Sequence, residues 1–125
     1  MSKKVMIVDD SMMVRTQVGR ALTQAGFVVV EAKDGQDALE KLATETDIAM
    51  VVSDVNMPRM SGLELLEAMR KDPRFTALPV VMLTTEGQPE LVNKAKSLGA
   101  KGWIVKPFKP ELIIAAAKKI TAQAA

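Results

Sequence analysis

Apolar residues fall into five short runs, each followed by a polar break and then by a stretch of helical spacing. The first run, Lys4 to Val8, is strand-like and ends on Asp9-Asp10. Ser11 can cap the helix that follows, with Val14, Val18, Ala21, Leu22 and Ala25 on one face and Gly26 as terminator. Phe27 to Val30 is a second, β-branched strand. Asp34-Gly35 breaks it, and Asp34 caps a helix through about Thr44 that turns Ala38, Leu39 and Leu42 inward. Ile48 to Val52 is long enough for a buried strand and too short for a helix; the strand is expected to end at Ser53, with Asp54 at its mouth.

Ser61 and Glu64 form a capping box for a third helix, which carries Leu63, Leu66 and Met69 and stops near Asp72-Pro73. Pro79 introduces a fourth strand, Val80 to Leu83, ending on Thr84-Thr85. Pro89 suits the first turn of a fourth helix, striped by Leu91, Ala95 and Leu98 and ended by Gly99. Gly102 to Val105 is the fifth strand, ending on Lys106-Pro107. Pro110 starts a last helix with Leu112, Ile113, Ala116 and Ile120 expected inward. The strands are unbroken apolar runs, which suits a sheet covered on both faces. Alternation with helical crossovers predicts an α/β, doubly wound (βα)5 fold: a parallel sheet with right-handed connections, in a single domain over residues 1–125. The five units use all of residues 1–125, so no output domain is expected.

Composition narrows the function more than the fold. Of 125 residues, 48% are hydrophobic and 26% charged, as in a soluble globular domain. No apolar run approaches a membrane span, and Met1-Ser2-Lys3-Lys4 leads straight into a strand, so neither a membrane segment nor a signal peptide is expected and a cytoplasmic location fits. A net charge of +2 with dispersed lysines does not argue for nucleic acid. Without Cys there is no disulfide or thiol chemistry, and without His there is no phosphohistidine donor or His-based acid–base catalyst in this chain. A bound metal must be a hard one held by oxygen.

In a parallel sheet all strands deliver their C-terminal ends to one edge, where open α/β sheets place their chemistry. Here those ends carry Asp9, Asp10, Asp54, Thr84 and Lys106. Aspartate also commonly opens turns, and each of these residues alone is unremarkable; their joint placement is not. Two like charges about 4 Å apart cost on the order of 4 kcal/mol at an effective dielectric near 20. Either one acid stays protonated or a divalent cation joins them, and an all-oxygen, partly hydrated site is what Mg²⁺ prefers. Mg²⁺ usually accompanies phosphate. The expected chemistry is therefore a phosphoryl group received by a carboxylate, with Asp54 as nucleophile and Lys106 as a second positive charge.

The motifs Val8-Asp9-Asp10-Ser11, Ser53-Asp54-Val55-Asn56-Met57-Pro58 with Ser61-Gly62, Leu83-Thr84-Thr85-Glu86 and Lys106-Pro107-Phe108 resemble the receiver domain of bacterial two-component response regulators, particularly its stand-alone chemotaxis members. The resemblance runs from about Lys4 to Ile120 and implies a flavodoxin-like strand order 2-1-3-4-5, which the alternation alone does not give. It implies that Asp54 accepts phosphate from the phosphohistidine of a sensor kinase. Asp10, Asp54 and the main-chain carbonyl of Asn56 would ligate Mg²⁺, with Asp9 acting mainly through water. Lys106 and Thr84 would contact the phosphoryl group, and the Lys106–Pro107 peptide is expected cis. Asn56 and Glu86 would tune hydrolysis of the acyl phosphate. Trp103 stands where the family usually carries Tyr or Phe, as the ring that turns inward with the threonine.

The implied product is a monomeric, diffusible switch that presents the face of its fourth helix, fifth strand and fifth helix to a target, most plainly the flagellar motor switch, with a phosphatase as a further partner. A phosphorelay intermediate or phosphate sink uses the same site residues and stays open. A Mg²⁺ phosphohydrolase of the haloacid dehalogenase type needs a D-x-D start that Asp9-Asp10 and Asp54-Val55-Asn56 do not supply, so no turnover of an external substrate is expected. A flavodoxin is disfavoured by the lack of a Gly- and Thr-rich first loop and by 3% aromatic content. Met12, Met13, Met57 and Met60 are placed in loops around the edge as gap-fillers.

Overall fold

The β-branched runs pair side by side into one parallel sheet of order β2-β1-β3-β4-β5. The computed structural model describes residues 3–84, 89–106 and 108–123. Strands and helices alternate through them: β1 Lys4–Val8, α1 Met12–Gln24, β2 Val28–Ala32, α2 Gly35–Thr44, β3 Ile48–Asp54, α3 Gly62–Lys71, β4 Val80–Thr84, α4 Pro89–Ser97, β5 Gly102–Val105 and α5 Pro110–Gln123. The expected doubly wound (βα)5 architecture and the implied strand order are both present. Register aligns the carboxyl ends: Val8 lies beside Ala32 and Ser53, Asp54 beside Leu83, and Thr84 beside Val105.

Alternate residues of the strands feed two cores, one on each face. Met6, Val8, Val51, Val80 and Met82 pack with Ala38 and Leu42 of α2, Leu65, Leu66 and Met69 of α3 and Ala95 of α4. Val5, Ile7, Met50, Val52, Val81 and Leu83 pack with Val18 and Leu22 of α1 and Ile113 and Ala117 of α5. Among the described residues the helices thus divide three to one face and two to the other.

Capping follows the sequence closely. The Ser11 hydroxyl accepts from the Val14 N–H, the Asp34 carboxylate from the Asp37 N–H, and Ser61 with Glu64 makes the full reciprocal box. Gly26 and Gly99 have φ of 99° and 83°, the left-handed turn that ends a helix without a Cβ penalty.

Four expectations need correction. Phe27 is not in β2; its N–H donates to the Leu22 carbonyl and completes the end of α1, so the strand starts at Val28 and runs on to Ala32. Ladder bonding extends β3 one residue beyond Ser53, so that Asp54 is the last residue of the strand, not the first of the loop. In α5 the buried face centres on Ile113 and Ala117, with Ala116 only partly buried and Leu112 54% exposed. Residues 112–117 are all apolar, so their pattern did not fix the rotation of the helix; packing on α1 did. Met57 and Met60 do fill gaps against the core, but Met12 and Met13 lie in the first turn of α1, 70% and 79% exposed.

Candidate functional site

Asp9 follows β1, Asp54 ends β3 and Lys106 follows β5, and the register of the sheet brings all three to one edge. One carboxylate oxygen each from Asp9, Asp10 and Asp54 lie within 4.8 Å of one another. Asp9 is fully buried, Asp54 nearly so, and Asp10 faces solvent. Nζ of Lys106 lies 3.0 Å from Oδ2 of Asp9 and 3.4 Å from Oδ1 of Asp54.

The local fold fixes these groups through the main chain. Oδ1 of Asp9 accepts from the Ser11 N–H, the N–H of Asp9 donates to the Ala32 carbonyl, and the carbonyl of Asp9 accepts from the Arg15 guanidinium at 2.7 Å. Oδ1 of Asp54 accepts from the Val55 N–H. Both Asp9 oxygens are therefore engaged, whereas no hydrogen bond reaches the Asp10 carboxylate among the described residues. Arg15 was not singled out by the sequence, because nothing in a helical arginine announces a bond to a strand-end carbonyl.

Burial, then the charge on Asp9, pushes the Asp54 carboxyl above its ordinary value, and Lys106 offsets this only in part. For Lys106 burial works against the ammonium, but the hydrogen bond to Asp9 and the nearby Asp54 charge outweigh it and hold the ammonium more firmly protonated. The three clustered acids and the Lys106 ammonium sum to two negative charges when all are ionised, and the nearby Arg15 guanidinium is itself paired with Glu31. The donors are all carboxylate oxygens. Both facts fit a hard divalent cation, so the cluster is capable of coordinating one.

The remaining residues sit as follows. Asn56 is exposed on the loop directly after Asp54. Thr84 closes β4 at the same edge, its backbone in register with Val105. Trp103 lies in β5 beside Met82, half-buried against the core that α2, α3 and α4 cover. Its indole N–H is buried and has no hydrogen-bond partner among the described residues. Glu86 and Pro107, and with it the peptide expected to be cis, lie outside the described residues.

A glycine contact also shapes the site. A Cβ on Gly62 would fall 2.1 Å from the Asp54 carbonyl oxygen, so only glycine lets α3 start this close to the end of β3. No helix among the described residues is long and apolar enough to cross a membrane.

Comparison with known proteins gives a consistent picture. A family model described as response regulator receiver domain matches residues 5–118. Chemotaxis protein CheY1 of Helicobacter pylori is 40% identical over 111 residues, covering 88% of this chain and 90% of that protein. The CheY homolog of Campylobacter jejuni is 37% identical over the same length, covering 88% and 85%. Among solved structures, the chemotaxis response regulator CheY4 of Vibrio cholerae superposes with a TM-score of 0.87 at 41% identity, covering 96% of this chain and 99% of that one. The BeF3-activated DrrB receiver domain does so with a TM-score of 0.85 at 30% identity, covering 98% and 99%. By fold, by the acids gathered at its strand ends and by relatives that match it nearly end to end, this chain belongs to the response regulator receiver domains and is closely related to the stand-alone chemotaxis CheY proteins.

Proposed function

We propose that Asp54 is the phosphoacceptor of a chemotaxis response regulator, in which residues 1–125 act as one receiver domain. The supporting observation is the position of its carboxylate: at the end of β3, within 4.8 Å of Asp9 and Asp10 oxygens and 3.4 Å from Lys106. A carboxylate oxygen of Asp54 attacks the phosphorus of a kinase phosphohistidine; the O–P bond forms, the P–N bond breaks, and the imidazole leaves with its proton. No general base is required, since the nucleophile is already an anion. Mg²⁺ held by Asp10, Asp54 and the Asn56 carbonyl, with Asp9 behind, would supply charge neutralisation at the transferring oxygens. Lys106 and Thr84 contact the phosphoryl group, and Asn56 and Glu86 set its lifetime.

Phosphorylation adds about −1.5 to −2 charge. If Lys106 and Thr84 bond it only in the active arrangement, each contributes roughly 1.5–3 kcal/mol. A shift from 1:99 to 99:1 needs about 5.5 kcal/mol, so the pair lies near what a complete switch requires. The output is read from α4, β5 and α5. Trp103 lies at the inner side of that face, while Val105 and Leu112 offer exposed apolar surface on it. The partners are a chemotaxis-type sensor kinase, the flagellar motor switch and a phosphatase, and the protein acts as a cytoplasmic monomer.

Acetyl phosphate with Mg²⁺ should label the wild type at Asp54 and leave Asp54→Asn unlabelled. Labelling of Asp54→Asn at the wild-type level defeats the assignment. Lys106→Ala should accept phosphate but lose output. The beryllofluoride-bound protein should gain affinity for a motor-switch peptide; no gain would favour the relay or sink reading.

A further inference from the structure

Asp34 is a buried carboxylate outside the acid cluster, and three donors converge on it. The Asp37 N–H reaches Oδ1 at 2.8 Å and caps α2. The other two come from the loop between β3 and α3: Nε of Arg59 reaches Oδ2 at 2.9 Å and Nη2 reaches Oδ1 at 3.0 Å. Arg59 has a φ of 63°, a left-handed backbone that residues other than Gly and Asn seldom adopt. Such a conformation persists where the surroundings over-determine it, and a two-pronged ion pair to a buried acid does so.

The next residue tightens the same junction. The Gly35 N–H donates to the Met60 carbonyl at 3.2 Å, and a Cβ on Gly35 would lie 2.8 Å from that oxygen. At the base of the loop the Gly62 N–H donates to the Val55 carbonyl at 2.9 Å. The segment from Val55 to Ser61 is thus tied at its root by Val55 to Gly62, and through Arg59 and Met60 to the start of α2. Asn56 lies within it, between Asp54 and Arg59.

We propose that the Asp34–Arg59 pair is a positioning device for the cation site, holding the Asn56 segment where its main chain complements the oxygens of Asp9, Asp10 and Asp54. This rests on the reading of that cluster as a Mg²⁺ site. Mg²⁺ demands nearly ideal octahedral geometry, so a ligand-bearing segment that wanders costs affinity. Groups that orient a metal's ligands from behind typically matter by roughly 10–100-fold. Neither Asp34 nor Arg59 belongs to the acid cluster; both would act through the loop.

Arg59→Asn keeps a residue at home in the left-handed region, and Asp34→Asn keeps the helix cap. Each removes the ion pair. Calorimetric titration with Mg²⁺ should show affinity reduced roughly tenfold in each variant, with no further loss in the double variant. Amide hydrogen exchange on the metal-free protein should quicken at residues 56–60 while β1 and β3 stay protected. Arg74→Ala, which breaks the Arg74–Asp72 pair beyond α3, should bind like the wild type. Wild-type affinity in Arg59→Asn and Asp34→Asn would overturn the positioning role and leave the cation site standing. So would a loss accompanied by faster exchange throughout the sheet. A wild type that takes up no Mg²⁺ would instead overturn the reading beneath it.

Discussion

Nζ of Lys106, just past β5, lies 3.0 Å from Oδ2 of Asp9, just past β1, although 97 positions separate them in the chain. Asp9 is fully buried and the Lys106 side chain only 17% exposed. This contact joins an inner strand to the sheet's far edge and holds a cation beside Asp54.

Asp54→Asn should stabilise the metal-free protein at pH 7. The carboxyl of Asp54 is raised above its ordinary 3.8 by burial and by Asp9. A raised carboxyl favours folding fully below the unfolded value and loses that contribution as pH rises through the folded one. Ionised Asp54 therefore opposes folding at neutral pH, and an amide removes the opposition. Melts in EDTA should show a higher Tm for Asp54→Asn at pH 7, with the gap closing as pH falls toward 3.8. A constant gap across that range counts against the electrostatic cause.

Lys106→Met should destabilise the protein at pH 7 by about 2 kcal/mol, the scale of a hydrogen bond to a charged group. The raised Lys106 keeps its contribution below the unfolded value of 10.5 and loses it as pH rises through the folded value. Denaturant titration should thus show the variant and wild type converging only on the alkaline side. In an Asp54→Asn background the cost should shrink, since one of the ammonium's two acids is gone.

Mg²⁺ should raise the wild-type melting temperature, by the equivalent of about 2.7 kcal/mol at a hundredfold excess over its Kd, and EDTA should reverse it. Asp10→Asn should respond far less. Trp103 is the only tryptophan and packs against the core from β5, so under the proposed switch its fluorescence should change with Mg²⁺ or beryllofluoride. A flat titration would remove Trp103 from the switch.

Gly62→Ala should be far worse than its single methyl suggests. The added carbon meets the Asp54 carbonyl oxygen at 2.1 Å, and backbone gives way less readily than a side chain. Overpacking of this kind costs about 1–3 kcal/mol, sometimes more. It should also displace Asp54, so acetyl-phosphate labelling should fall more than chemical denaturation alone would explain.

The sequence announces this fold through local rules that the structure obeys. Ser11, Asp34 and Ser61 with Glu64 cap where their side chains can reach an orphan N–H within three residues. Gly26 and Gly99 end helices where a Cβ would resist a positive φ. The signal failed where local pattern was degenerate. Every rotation of α5 buries apolar atoms between 112 and 117, so only contact with α1 and the sheet chose Ile113 and Ala117 over Leu112.

The acids at the strand ends were legible because a parallel sheet sends every such end to one edge, whatever the details of packing. What converges there is thus written in the chain. How it converges is not: the grip of Lys106 on Asp9, the Arg15 bond to the Asp9 carbonyl and the Arg59 clamp on Asp34 all join residues far apart in the chain. Such bonds are set by strand register, loop closure and burial, and these exist only once distant segments have been packed against each other.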